Sequence, residues 1–336
     1  MTKKTFIIAE AGANHNRDFD IAKKLIDSAV DAKCDAVKFQ TYSSETLYAK
    51  NTPDFAGYKN INKLIKDIEL PRHWQKDLKL YCDDEGIEFM STPFDKKAVD
   101  ELYEIGVKRF KIAGFEATDP RIVKYAALTQ LPLIITAGIG VDTEMVQKIY
   151  TWVSDSRSID SCDLTFLHGN NAYPTPLEDI NLSTMSKIRD LKLPVNVGIS
   201  DHTRGILVPP VAVALGATVV EKHFTLSRKM AGPDHPFAIE PDELSLMVEH
   251  IREVEKTLGI KDGVYTKSES EGFVKARRSV VSSCEIKKGE TLTDSNITTK
   301  RPFFEGNIPA ADYYDMIGKV AKKDISPDSP LNYGDV

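Results

Sequence analysis

Short apolar runs that end in polar groups recur along the first two thirds of the chain, over residues 5–12, 35–42, 88–94, 109–114, 131–138, 164–170, 195–200 and 218–224. Each is the length of a buried strand. Between them lie stretches of helical period at 21–33, 71–85, 97–105, 120–129, 143–154 and 182–191, and a strongly amphipathic run follows at 242–258. Alternating β and α units predict a parallel sheet with right-handed crossovers, and eight of them predict closure into a (β/α)8 TIM barrel, an α/β fold. A doubly wound open sheet is the runner-up. It is disfavoured because no G-x-G-x-x-G opens the first helix: Gly12 is followed by Ala13, Asn14, His15 and Asn16.

In such a barrel the C-terminal strand ends converge on one mouth. Glu10, Asn14, Lys38, Gln40, Lys111, Glu116, Thr136, Asn171, Ser200, His202 and His223 are therefore expected to crowd into a single site. Two long connections, 43–70 and 225–241, have the length of loops that cover substrate.

The barrel is expected over 1–260. The polar, charged stretch 261–275 reads as a linker or joining helix, and 276–336 as a small second domain. That domain carries a weak internal echo, 285–297 against 324–336, which predicts two half-units of short strands and turns.

Lys plus Arg total 44 against 50 for Asp plus Glu, so the net charge of -6 offers no general attraction for nucleic acid. Cys34, Cys82, Cys162 and Cys284 are widely spaced, with no C-x-x-C pair, which fits a reducing cytoplasm. Glu10 interrupts the first apolar run too early for a signal-peptide core, and no stretch approaches the length of a membrane span, so no membrane partner is expected.

His202 follows the seventh predicted strand and His223 ends the eighth, so adjacent strands place them side by side. Two imidazoles at a barrel mouth suit a divalent ion such as Mn or Zn, with positions left open for substrate; the competing reading is a pair of hydrogen-bonded structural histidines. Lys38 and Lys111 point inward by strand alternation and need an anion. With Thr136, Ser200 and Asn171 they suit a phosphate plus a carboxylate. An imine-forming lysine and an internal ion pair to Glu10 or Glu116 stand as alternatives. Glu10 is placed to take a proton or hold a reacting hydroxyl. Glu221, two residues before His223, reads as a group that orients others rather than as a catalyst.

Several ordered motifs carry a family resemblance: Glu10-Ala-Gly-Ala-Asn14-His15, Val-Lys38-Phe-Gln40-Thr, Ser-Thr-Pro-Phe94, Lys111-Ile-Ala, Tyr173-Pro-Thr-Pro, Gly-Ile-Ser200-Asp-His202-Thr and Glu221-Lys-His223-Phe. Together they closely resemble the sialic acid synthase family, whose N-acetylneuraminate, legionaminate and pseudaminate branches condense phosphoenolpyruvate with an open-chain N-acylated hexose. The resemblance covers essentially the whole chain, since 276–336 looks like the antifreeze-protein-like (SAF) domain of those enzymes.

The resemblance implies a nine-carbon 2-keto sugar acid plus phosphate as products, with C–O cleavage. It implies Glu10 as catalytic glutamate, and His202 and His223 as ligands of a divalent metal, Mn2+ foremost with Mg2+ or Co2+ as substitutes. Lys38, Lys111, Thr136, Asn171 and Ser200 match phosphoenolpyruvate-binding positions, and Gln40, Glu116, Tyr173 and Asp234 match positions near the sugar. Arg301 matches an arginine that the small domain inserts into the partner subunit's site, which implies a domain-swapped homodimer.

The sugar is left open. Lys111-Ile-Ala-Gly-Phe115-Glu116 resembles the pseudaminic branch, Gly232-Pro-Asp234-His resembles the sialic and legionaminic branches, and Phe-Phe-Glu-Gly-Asn after Arg301-Pro departs from the usual glycine-rich turn. A Schiff-base aldolase using Lys38 or Lys111 is the rival activity, and a non-catalytic sugar-binding barrel is the third reading.

Overall fold

The structure, a computed structural model, describes residues 4–53, 59–160 and 163–336. Cys162 and the 54–58 part of the predicted long loop lie outside the described residues. The chain divides into two compact units, Met1–Gly259 and Ile260–Val336.

The first unit is the expected barrel. Its strands are β1 (Phe6–Gly12), β2 (Ala36–Thr41), β3 (Glu88–Pro93), β4 (Phe110–Ile112), β5 (Leu133–Ala137), β6 (Leu164–Gly169), β7 (Asn196–Asp201) and β8 (Val219–His223). All paired neighbours are parallel, in the order β3-β2-β1-β8-β7-β6-β5-β4, so the ladder is continuous except between β3 and β4. The helix predicted at 143–154 is Thr143–Ser154, and the others fall within a few residues of their expected ends. Two were not expected. Ile61–Ile68 forms a helix inside the long loop, and Val208–Ala214 forms one despite two prolines, which sit in its first turn where their missing N–H groups have no intrahelical role.

Strand alternation divides the core into layers. One set of side chains packs outward against the helices; the other fills the barrel, with Ile8, Ala36, Met90, Ile134, Leu167 and Val219 forming its apolar floor. Two residues further along five of these six strands the interior turns polar, at Glu10, Lys38, Thr92, Thr136 and Glu221. Gly198 is required in this packing, because a Cβ there would lie 2.2 Å from the Val219 carbonyl oxygen. Aspartates close several mouth loops by capping the next helix: the Asp18, Asp95, Asp119 and Asp142 carboxylates accept from first-turn N–H groups at 2.7–3.0 Å.

In the second unit, the predicted linker contains a short helix, Ser270–Lys275. β9 (Ser279–Ser282) and β10 (Ile297–Lys300) pair antiparallel over a core that includes Val280, Ile286, Leu292, Ile308 and Leu331. The sequence echo is a structural repeat. Ile286 bridges to Ile325, Gly289 and Asp328 both have positive φ, Leu292 and Leu331 are buried, and Thr293 and Asn332 donate their N–H groups to Asn296 and Asp335.

Candidate active site

Four charged side chains form one buried layer across the barrel mouth. Lys38 Nζ lies 2.7 Å from Glu10 Oε2 and 3.7 Å from Glu221 Oε2, while Lys111 Nζ lies 3.5 Å from Glu221 Oε1. Gln40 donates to Glu10 at 2.7 Å, Ser200 donates to Glu221 at 2.8 Å, and Lys38 donates to Thr92 at 3.0 Å. The alternative of internal ion pairing is thus realised between Lys38 and Glu10; Lys111 pairs with Glu221.

The two carboxyls differ in proton affinity. Burial would raise both, but Lys111 and Lys38 together outweigh it at Glu221 and hold that carboxyl down to about 2. Burial prevails at Glu10, which is pushed up to about 7 against the pull of Lys38, with Glu221 adding repulsion. Glu221 is the ionised member and Glu10 the one that exchanges a proton near neutrality.

Above this layer stand the two histidines. Their ring centroids are 5.4 Å apart, and Tyr173 packs on both, 4.4 Å from His202 and 5.9 Å from His223. Phe237 packs against both His223, at 5.2 Å, and Tyr173, at 5.5 Å. His202 Nδ1 is 2.6 Å from the Asn170 carbonyl, an acceptor only, so it carries the proton and Nε2 keeps its lone pair. His223 Nδ1 is buried without a hydrogen-bond partner. Burial holds both imidazoles below their usual range, His223 far below, and leaves them neutral. The Ser200 hydroxyl, 3.4 Å from His202 Nε2, gives its proton to Glu221, so a neutral pair with an available Nε2 lone pair and an orphaned Nδ1 fits a divalent cation. Among the described residues no group of three or more His, Cys, Asp or Glu is assembled as a metal site, so water or substrate oxygen would complete such a shell.

The structure brings together most of the expected residues. Glu10, Lys38, Gln40, Lys111, Thr136, Asn171, Tyr173, Ser200, His202 and His223 line one inner cavity of about 40 Å³ with Thr92, Ala113, Gly114 and Glu221. Thr136 Oγ1 is buried there without a partner. Gln40, Ala113, Tyr173 and His223 are shared with an outer cavity of about 240 Å³, which Asp234 also lines. Gly12 allows that approach: a Cβ on its positive-φ backbone would lie 2.7 Å from Asp234 Oδ2.

Three expected members lie elsewhere. Asn14 lines neither cavity, because its amide is committed to the Phe224 carbonyl at 2.8 Å and ties the end of β1 to β8. Glu116 lines neither as well; burial pushes its carboxyl up to about 7, and its Oε2 has no hydrogen-bond partner. Arg301 belongs to the second unit, where its exposed side chain donates to the Ala276 carbonyl at 2.6 Å.

Sequence reasoning undervalued Glu221 and did not single out Thr92. For both the signal was present: Glu221 shares the inward parity of His223, and Thr92 lies inside the Ser-Thr-Pro-Phe94 motif.

A barrel whose mouth gathers a buried Lys–Glu layer beneath paired neutral histidines has the make-up of an enzyme active site. Residues 25–263 match the NeuB family and residues 277–336 the SAF domain. The chain is 38% identical to an N,N'-diacetyllegionaminic acid synthase of Campylobacter jejuni, over 97% of this chain and 98% of that one. It is 35% identical to a pseudaminic acid synthase of the same species, over 99% and 97%. A solved N-acetylneuraminic acid synthetase from Leptospira borgpetersenii superposes with a TM-score of 0.73 at 32% identity, covering 80% of this chain and 90% of that one. The chain belongs to the NeuB family, the sialic acid synthases, and is a synthase-type transferase of nonulosonic acid biosynthesis.

Proposed function

We propose that this enzyme condenses phosphoenolpyruvate with an open-chain N-acylated hexose, giving a nine-carbon 2-keto acid and phosphate. The observation that carries the reading is the buried layer itself: two lysines and the unpartnered Thr136 hydroxyl surround the inner cavity, where a compact polyanion finds cations and donors already in place. Lys38 and Lys111 would hold phosphate and carboxylate while the enol carbon attacks the aldehyde. Glu10, the carboxyl that titrates near neutrality, would take the proton from the water that adds to the former enol-phosphate carbon; phosphate then leaves by C–O cleavage.

His202 and His223 would hold a divalent cation, Mn2+ foremost, whose Lewis acidity makes an aldehyde more electrophilic. Tyr173 and Phe237 shield that pair from bulk water.

The outer cavity supports a neutral acylated sugar. Leu47, Leu64, Ile65, Ile68, Phe94 and Phe115 form its apolar wall, and no lysine or arginine is among its described lining residues. A sugar phosphate placed there would lose its hydration without gaining a counter-charge. Gln40, Tyr173 and Asp234 remain to orient hydroxyl and amide groups. Glu116, whose carboxyl is not among the lining residues, would reach the sugar only after a change in its surroundings. A domain-swapped homodimer in which Arg301 serves the neighbouring subunit's barrel, acting in the cytoplasm, completes the reading.

Phosphate release from phosphoenolpyruvate, assayed with Mn2+ and a panel of N-acetylated and di-N-acetylated hexoses, tests it. Loss of activity on chelation supports the cation. The imine alternative has one observation in its favour, since burial lowers the Lys111 ammonium's proton affinity. Borohydride trapping of substrate on Lys111 would establish it.

A further inference from the structure

Asp201 and Lys222 immediately precede His202 and His223, and their Cα atoms are partners in the β7–β8 ladder. Strand alternation turns them away from the cavity, and neither lines it. Both are sealed, at 0% and 1% exposure. Lys222 Nζ donates to Asp201 Oδ2 at 2.7 Å and to the Thr203 carbonyl at 2.5 Å. Asp201 Oδ1 in turn accepts from the Thr203 N–H at 2.9 Å. The two side chains therefore hold both backbone groups of the residue that follows His202, and anchor them to the residue that precedes His223.

Stability does not account for this pair. A buried ion pair is often no more stabilising than apolar side chains of similar volume. Position accounts for it better. On the opposite face of the same strands, the Ser200–Glu221 bond at 2.8 Å makes a second cross-strand tie one residue earlier. The histidines need such ties unequally. The His202 ring is fixed by the Asn170 carbonyl, whereas His223 Nδ1 makes no hydrogen bond and has only the Asp234 carboxylate 3.8 Å away, so its placement depends largely on its backbone and on packing against His202, Tyr173 and Phe237.

We infer that Asp201 and Lys222 are positioning residues: their buried ion pair clamps the end of β7 to β8 and thereby sets the spacing of His202 and His223 for a divalent cation. Neither contacts the cation or the substrates. The inference rests on the proposed two-histidine cation site, and the experiment separates the two.

Metal-stripped protein is titrated with Mn2+ by calorimetry, alongside thermal unfolding and phosphoenolpyruvate binding measured without metal. The neutral double variant Asp201→Asn/Lys222→Met keeps an acceptor for the Thr203 N–H and removes both charges. It should unfold near the wild-type temperature and bind phosphoenolpyruvate normally, yet bind Mn2+ about 10- to 100-fold more weakly, the range expected when an outer partner of a ligand is lost. A folded double variant with wild-type Mn2+ affinity overturns the inference. If that variant does not fold, Lys222→Arg, which keeps the charge and changes the reach, is titrated instead; weakened Mn2+ binding supports the clamp and unchanged binding overturns it. Wild-type protein that binds no Mn2+, or that binds it equally after His202→Ala, would remove the cation site itself and the clamp with it.

Discussion

Lys38 Nζ lies 2.7 Å from Glu10 Oε2, with both side chains sealed inside the barrel at the ends of neighbouring strands. The pair joins the carboxyl proposed as catalytic to an ammonium proposed to bind the anionic substrate, so altering either one changes the electrostatic surroundings of the other. Lys38→Met leaves Glu10 and Glu221 sharing one remaining buried cation. Breaking such a pair typically costs about 3–5 kcal/mol. Urea unfolding near pH 8 should show a loss of that order, smaller near pH 5 where Glu10 can take a proton. The double variant Glu10→Gln/Lys38→Met should recover stability without activity.

Glu116 gives the chain a second pH dependence. Its folded-state pKa of about 7 lies above the ordinary value of 4.5, so the folded protein binds this proton more tightly than the unfolded chain. Its contribution is therefore full below about pH 4.5 and is lost as pH rises to about 7, a change on the order of 1–2 kcal/mol for a group still partly open to solvent. Glu116→Gln should remove that slope from unfolding free energies measured between about pH 5 and pH 8. An unchanged slope would show that the carboxyl is ionised throughout.

Two glycines separate fold from function. A Cβ at Gly138 would meet Asn171 Oδ1 at 2.0 Å, a side-chain atom that can swing away, whereas one at Gly198 would meet backbone. Gly138→Ala should keep a cooperative thermal transition and displace Asn171 from the Ile139 N–H it now accepts at 2.8 Å, raising the KM for phosphoenolpyruvate several-fold. Gly198→Ala should yield little soluble protein. Equal damage from both would contradict this division.

The strands were legible because each buried run is apolar and each ends in a group that has no place in an apolar core. His202 and His223 were legible as neighbours for the same reason, since consecutive barrel strands pair. What the sequence concealed was reach. Lys38 and Lys111 extend across the interior to meet Glu221, so the carboxylate read as an accessory is the one that both lysines engage. Asn14 and Glu116 follow β1 and β4 by a few residues, and loop turns took them out of the cavities. The helix Val208–Ala214 was hidden by prolines that act as breakers everywhere except in a first turn.

Arg301 is exposed within its own unit and makes one backbone hydrogen bond there, at 2.6 Å to Ala276. If it serves a neighbouring barrel, mixing inactive Arg301→Ala with inactive His223→Ala should partly restore activity, because one site of each mixed dimer is then complete. No recovery despite demonstrated subunit exchange would assign the arginine to its own chain.

In the proposed reaction phosphoenolpyruvate is consumed with cleavage of its C–O bond. Phosphoenolpyruvate carrying 18O in the bridging position should be incubated with the enzyme, Mn2+ and the best N-acylated hexose of the panel, and both products examined by mass spectrometry. The label is expected in inorganic phosphate, with an unlabelled nine-carbon keto acid. Label retained in the keto acid, or a sugar product formed without phosphate release, would contradict it.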